Sequence, residues 1–309
     1  MSVLFTVALC TYNHRDRLTR TLADLPGLRM PRCEWELLVV DNGCTDGTRE
    51  LLAAHVWPAD WNVRVVRETK LGLSNARNCA IAEARGEYLI FLDDDETPVP
   101  EWLQAYEKLV ADHAPDAFGS RIEVLFEGKR PAWLRDELLG FLGQVRRSES
   151  TVRLTRTDTS FHGGNFGFRK SVCGEVGLFD AGLGRKGSQI TGGEEVDFYR
   201  RLLARGLSVW WTNDAVIHHR IEVGKGKRSY FHRLHYKQGT VEGQRKRGSG
   251  ARVPPLYLYP QLGRAMAAVL RQWQAGGCHA TVRAEMNVCY FVGFLRGWAF
   301  GPKSDGANG

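Results

Sequence analysis

Tyr88-Leu89-Ile90-Phe91-Leu92-Asp93-Asp94-Asp95 (88–95) decides the fold. Its unbroken apolar run does not alternate between a dry and a wet face, the pattern of a strand covered by helices on both sides. Such strands belong to parallel sheets, and open α/β sheets bind ligands beyond the carboxyl ends of their strands. The three aspartates would therefore stand where a ligand sits.

Working outward, the same alternation recurs. Ser74 to Ala84 reads as helix, with Ala76, Ala80, Ile81 and Ala84 at helical spacing and Gly86 as a stop. Upstream come strand 62–67, helix 45–54, strand 36–40, helix 15–25 and strand 3–9. Strand and helix in turn imply βαβ units, hence an α/β fold with a Rossmann-like, mainly parallel central sheet flanked by helices. The segments following the strands, Cys10 to Asn13, Asp41 to Gly43, Glu68 to Lys70 and Asp93 to Asp95, converge on one edge. Beyond residue 115 the pattern loosens, then gives a helix over 194–204, a strand over 207–211 and a short apolar run ending at His218-His219. From Ser229 onward it reads as helices.

At 309 residues the chain suits one catalytic domain over 1–222 and a helical, basic extension over 223–309. Hydrophobic residues at 43% and charged residues at 25% exclude a largely disordered chain. No apolar run of about 18 residues occurs, and the N-terminus lacks the features of a signal peptide. The expected location is the cytoplasm, including the inner face of the membrane. The seven cysteines are scattered singly without CxxC spacing, which disfavours disulfide and zinc frameworks.

Net charge is +7, and basic residues crowd between Arg220 and Arg252. Such a block suits a phosphate-bearing ligand or an anionic membrane surface, although a solvated helix face gives the same pattern. No nucleic-acid partner is expected. Apolar and aromatic residues at 257–270 and 288–298 suit packing against the catalytic domain or contact with a membrane surface. Gly182 to Gly187 fits GxGxxG literally, but not between a strand and a helix, so a dinucleotide site is rejected in favour of a loop near the acceptor.

Three adjacent carboxylates at the end of an apolar strand repel one another and need compensation. A divalent ion supplies it, and carboxylate oxygens suit Mg²⁺ or Mn²⁺ shared with substrate phosphates. The blander alternative is a charged turn ahead of a helix near Pro100.

Four stretches in order, Val7 to Asn13, Val39 to Thr48, Gly72 to Asn78 and Phe91 to Asp95, resemble the successive signatures of family 2 glycosyltransferases with the GT-A fold. The resemblance continues through Gly163 to Phe166 and Gly192 to Asp197, over about the first 220 residues. It implies an inverting transfer from a nucleotide-sugar donor, UDP-linked by expectation, to a saccharide or lipid-linked acceptor, with Mn²⁺ or Mg²⁺ as cofactor. By the resemblance Thr11, Tyr12 and Asn13 line the base pocket, Asp41 hydrogen-bonds the base and Arg77 holds the nucleotide or its diphosphate. Asp93 faces the ribose, Asp95 binds the metal and Asp94 supports them. His219 is a further candidate for metal or diphosphate, and Gly164 and Asn165 for the donor sugar or acceptor. The base is expected at Glu195, with Asp197 and Glu194 as alternatives; a carboxylate there can take the acceptor proton. Competing activities are a two-metal nucleotidyltransferase and a non-catalytic carbohydrate-binding relative.

Overall fold

The computed structural model describes residues 3–161, 163–185, 192–248 and 253–301. The chain forms two units, Met1–Leu125 with Gly143–Arg220, and Phe126–Leu142 with Ile221–Gly309. Segment 126–142 thus groups with the helical C-terminal part.

In the first unit the order is β1 (Phe5–Thr11), α1 (Arg15–Asp24), β2 (Trp35–Asp41), α2 (Thr48–Ala54), β3 (Val63–Arg67), α3 (Leu73–Glu83), β4 (Tyr88–Asp93), β5 (Glu96–Pro98), α4 (Trp102–His113), β6 (Ala117–Phe126), β7 (Val152–Arg153), β8 (Phe166–Arg169), α5 (Cys173–Val176), α6 (Glu194–Ala204) and β9 (Val209–Ile221). These strands form one sheet in the order β3-β2-β1-β4-β8-β6-β9-β5, with β7 on β9. Strands β3, β2, β1 and β4 run parallel, while β8 runs antiparallel to β4 and β6.

Successive residues of the parallel strands point to opposite faces, and in β1, β2 and β4 both faces are dry. Ala8, Leu38, Leu89 and Phe91 pack with α3 and α6 through Ala76, Ala80, Phe198 and Leu202. Val7, Leu37, Val39 and Ile90 pack with α1 and α4 through Leu18, Leu22, Trp102 and Tyr106. Two-sided burial is why these strands carry no polar alternation.

Three segments differ from the expected pattern. Helix α2 starts at Thr48 rather than Thr45, because Asp46 accepts the Thr48 N–H and hydroxyl (3.1 and 2.6 Å) and Gly47 turns the chain at φ +86°. The loosened stretch after residue 115 contains strand β6. The expected strand over 207–211 begins only at Val209 and runs on through His218-His219 as one strand, β9, whose far end pairs with β5, Glu96 opposite His219. That pairing bends the aspartate turn toward a histidine more than a hundred residues away.

In the second unit, α7 (Arg228–Gly248), α8 (Leu258–Gly276) and α9 (Val282–Phe300) follow one another. Helices α7 and α9 meet backbone to backbone. A Cβ on Gly239 would overlap the Tyr290 carbonyl, and one on Gly293 would overlap that of Tyr236. Arg228 and His232 grip Glu285 at 2.6 and 2.8 Å. Segment 126–142 seats Trp133 edge-on to Phe231 and Phe141 edge-on to His235. Among the described residues no helix is long and apolar enough to cross a membrane.

Candidate active site

The carboxyl ends of β1 and β4 open onto a cleft lined by Thr11, Tyr12, His14, Arg17, Asn42 and the triplet Asp93 to Asp95, with Cys10, Gly72, Leu73, Ala76 and Arg185. Strand β1 pairs with β4 in parallel register, Cys10 opposite Asp93. The neighbouring strands therefore deliver both motifs to the same edge.

The triplet is divided among three environments. Asp94 is buried and accepts the Thr11 hydroxyl at 2.6 Å and the His14 Nδ1 at 3.1 Å. That bond pushes the His14 pKa up, against the opposing pull of burial. Asp95 lies 3.5 Å from Arg17 and 3.4 Å from His219 Nε2. Asp93 lies 3.8 Å from Arg77; burial pushes its carboxyl up, Arg77 opposes this, and Asp95 and Asp94 add to it. Cys10, beside Asp93, is a neutral thiol, pushed up to about 12 by burial.

Beneath the turn lies Glu96, buried, with Oε2 accepting the Asp93 N–H at 2.9 Å. Burial and the nearby Asp93 and Asp95 hold its carboxyl well above the usual range. The approach is possible only because residue 164 is glycine. A Cβ there would overlap Glu96 Oε2 and stand 2.7 Å from the Asp93 nitrogen.

Arg77 is fully buried, with Phe91, Phe166 and Phe179 rings around its guanidinium at 5.2 to 5.7 Å. It donates to Glu194 at 2.8 Å and to the Gly163 carbonyl at 3.2 Å. Its fork thus joins the triplet to the start of α6. There Glu194 is buried and pushed upward by desolvation, opposed by Arg77. Glu194 and Glu195 each have an Oε2 buried without a hydrogen-bond partner among the described residues. Asp197 pairs with Arg201 one turn on, at 2.9 Å. An uncompensated buried carboxylate oxygen is costly unless a ligand or proton meets it.

Other expected residues face inward. Asn165 donates to the Arg121 and Ala215 carbonyls and accepts from Trp102 Nε1 and Tyr106 OH, so its amide is spent on stitching β8 to α4, β6 and β9. Asn13, at φ +52°, receives the Thr45 N–H at 2.7 Å and shapes the turn that carries Tyr12. Asp41 accepts the Cys44 N–H at 2.8 Å. His14, Arg17, Asn42 and Glu96 join the site without a sequence pattern of their own. Asn42 lies within the Val39–Thr48 signature; the signal of the others is position shortly after strands β1 and β4. The glycine-rich decoy docks on α3, where Ser74 Oγ donates to the Leu183 carbonyl at 2.8 Å; its residues Lys186 and Gly187 lie outside the described residues.

The sheet order, the two-sided core and the acidic edge define an α/β protein of the GT-A type. Residues 6–177, more than half of the chain, match glycosyl transferase family 2, and the chain belongs to that family of enzymes. It is 23% identical over 245 residues to the succinoglycan biosynthesis protein ExoM of Rhizobium meliloti, covering 77% of this chain and 74% of that protein. It is 26% identical over 211 residues to the glycosyltransferase AglE of Haloferax volcanii, covering 68% of this chain and 65% of that protein, just under two thirds. Among solved structures it is similar to the mannosyltransferase PcManGT of Pyrobaculum calidifontis in complex with GDP-Man and Mn²⁺, at TM-score 0.62 and 19% identity, over 97% of this chain and 88% of that one. It is similar also to TarS of S. aureus in complex with UDP-GlcNAc, at TM-score 0.55 and 16% identity, over 95% and 91%. These two likenesses establish the fold.

Proposed function

We propose that this chain is an inverting glycosyltransferase that passes a sugar from a nucleoside-diphosphate donor, UDP-linked in the first instance, to a hydroxyl of a saccharide or lipid-linked acceptor in polysaccharide or glycoconjugate assembly. The observation that carries this is the single cleft onto which Tyr12 and Asp93 to Asp95 open together. An aromatic face can stack on a base while carboxylates at the other strand end meet the ribose and the diphosphate side.

In this reading Thr11, Tyr12 and Asp41 serve the base, and Asp93 the ribose. Asn13 and Asp94 hold the turns that present them. Arg77 acts through Asp93 and Glu194, keeping two buried carboxylates in fixed positions. Asp95 and His219, with Asp93 beside them, offer an oxygen and an imidazole donor that fit Mn²⁺ or Mg²⁺. Among the described residues no cluster of three or more side chains could hold such an ion unaided, so donor phosphates would complete its shell. When bound, the ion would neutralise charge developing on the departing diphosphate.

Glu195 is the base: its buried Oε2 can accept a proton, while Glu194, whose Oε2 is buried and unpartnered as well, holds Arg77 through Oε1 and Asp197 pairs with Arg201. The acceptor oxygen attacks the anomeric carbon as its proton passes to Glu195 and the bond to the diphosphate oxygen breaks. A single displacement inverts the anomeric configuration.

The test is thermal stability with UDP, GDP and other nucleoside diphosphates, with and without Mn²⁺. Saturation at 100 times Kd stabilises by about 2.7 kcal/mol. Asp95→Ala should abolish the Mn²⁺-dependent part of that gain, and absence of any gain from every nucleotide overturns the proposal.

A further inference from the structure

Helix α8 carries an apolar surface that none of the described residues of its own unit covers. Leu258 and Ala265 are buried, whereas Tyr259, Met266, Leu270 and Trp273 are 51%, 54%, 64% and 60% exposed. At 100° per residue these four fall within a sector of about 60°. They are therefore one stripe. Leu256 and Tyr257, also exposed, lead into it. Arg264 and Arg271, the helix's only charged residues, lie together about 100° or more round the helix from the stripe.

Charge selects the partner. Residues 221–309 hold fourteen Lys and Arg against four Asp and Glu, whereas the rest of the chain is slightly acidic. A second copy seated on this stripe would bring two strongly basic units together, which like-charge repulsion opposes. An anionic bilayer surface attracts the same charge. Aromatic side chains with polar tips suit the headgroup boundary, and arginine stems can cross the apolar layer while their heads stay in water. With 19 residues α8 is about 28 Å long, yet it is not apolar enough to cross a membrane. We propose that α8 lies in the plane of an anionic phospholipid surface, with Tyr259, Met266, Leu270 and Trp273 in the acyl boundary and Arg264 and Arg271 at the phosphates.

This is independent of the donor reading, and the full chain tests it by co-sedimentation with vesicles. Phosphatidylcholine vesicles containing about 30% phosphatidylglycerol should bind at least about tenfold more tightly than phosphatidylcholine alone, and less tightly in high salt. The double variant Leu270→Glu, Trp273→Glu should lose that binding about tenfold or more. Both side chains are exposed, so its circular dichroism and melting should stay as in the parent. Equal binding to both vesicle types overturns the proposal, as does a parent chain that binds neither or a variant that binds as the parent does. A dimer that the variant disperses, without vesicle binding, overturns it in favour of self-association.

Discussion

Arg77 donates to Glu194 at 2.8 Å inside a space walled by three phenylalanine rings. A cation there cannot be solvated by water, so its carboxylate partners are a condition of its burial, and it of theirs. Arg77→Met should leave Asp93 and Glu194 uncompensated and cost roughly 3–5 kcal/mol. Chemical denaturation measures that loss. Arg77→Lys, with charge but no planar fork, should fall between the two; a Met variant as stable as the parent would refute the role.

Gly164→Ala tests the close approach of β8's leading turn to Glu96. The added methyl would overlap Glu96 Oε2 and stand 2.7 Å from the Asp93 nitrogen. Overpacking of this kind costs about 1–3 kcal/mol. Because the displaced Glu96 Oε2 accepts the Asp93 N–H at 2.9 Å, loss of nucleotide binding should accompany the loss of stability. A variant destabilised but with unchanged nucleotide affinity would uncouple the two.

His14 makes stability depend on pH. Its hydrogen bond to Asp94 raises its pKa above the ordinary 6.5. The folded state then binds the proton more tightly than the unfolded state. Its stabilisation is fully present below about 6.5 and is lost as pH rises through the raised value. His14→Gln should flatten the melting temperature profile in that window, and an unaltered profile would show that other groups set it.

Much of this was legible in the sequence, for physical reasons. Leu37 to Val40 and Tyr88 to Leu92 announce a parallel sheet because two-sided burial leaves them no polar option. The acidic triplet announces itself because three carboxylates need compensation. What stayed hidden depends on pairing across long separations. Nothing in Glu96 or His219 reveals that they face each other in an antiparallel ladder, and the polar Thr212, Asn213 and Asp214 disguise β9 as two pieces. Direction was equally hidden: Asn165 sits in a motif yet points inward, and nothing in Arg77's motif shows that its guanidinium is buried among phenylalanine rings.

The helix pair of the second unit rests on glycine. A Cβ on Gly239 would overlap the Tyr290 carbonyl, and one on Gly243 would stand 2.7 Å from the Trp298 nitrogen. Gly239→Leu should separate α7 from α9 and destabilise the unit by about 1–3 kcal/mol. A lower urea midpoint is the measurement; helix propensity alone would move it the other way, since leucine favours a helix over glycine.

The identity of the base can be decided within the three acids that open α6. Glu194 is buried against Arg77, and Asp197 pairs with Arg201 at the next turn. Glu194 and Glu195 each keep a buried Oε2 without a hydrogen-bond partner among the described residues, but Glu194 spends its other oxygen on Arg77. General-base catalysis typically contributes about 10²–10⁴-fold. Glu195→Gln should therefore lower kcat by that order while donor affinity stays near the parent's, because the amide keeps the shape but cannot take the proton. Asp197→Asn should cost little in rate, since a half-exposed ion pair contributes at most about 1 kcal/mol. Glu194→Gln should behave differently from both. Arg77 would lose a charged partner, so folding stability should drop together with rate. If Asp197→Asn instead shows the isolated collapse of kcat, the base is Asp197, and the proton path runs along the face of α6 shared with Arg201.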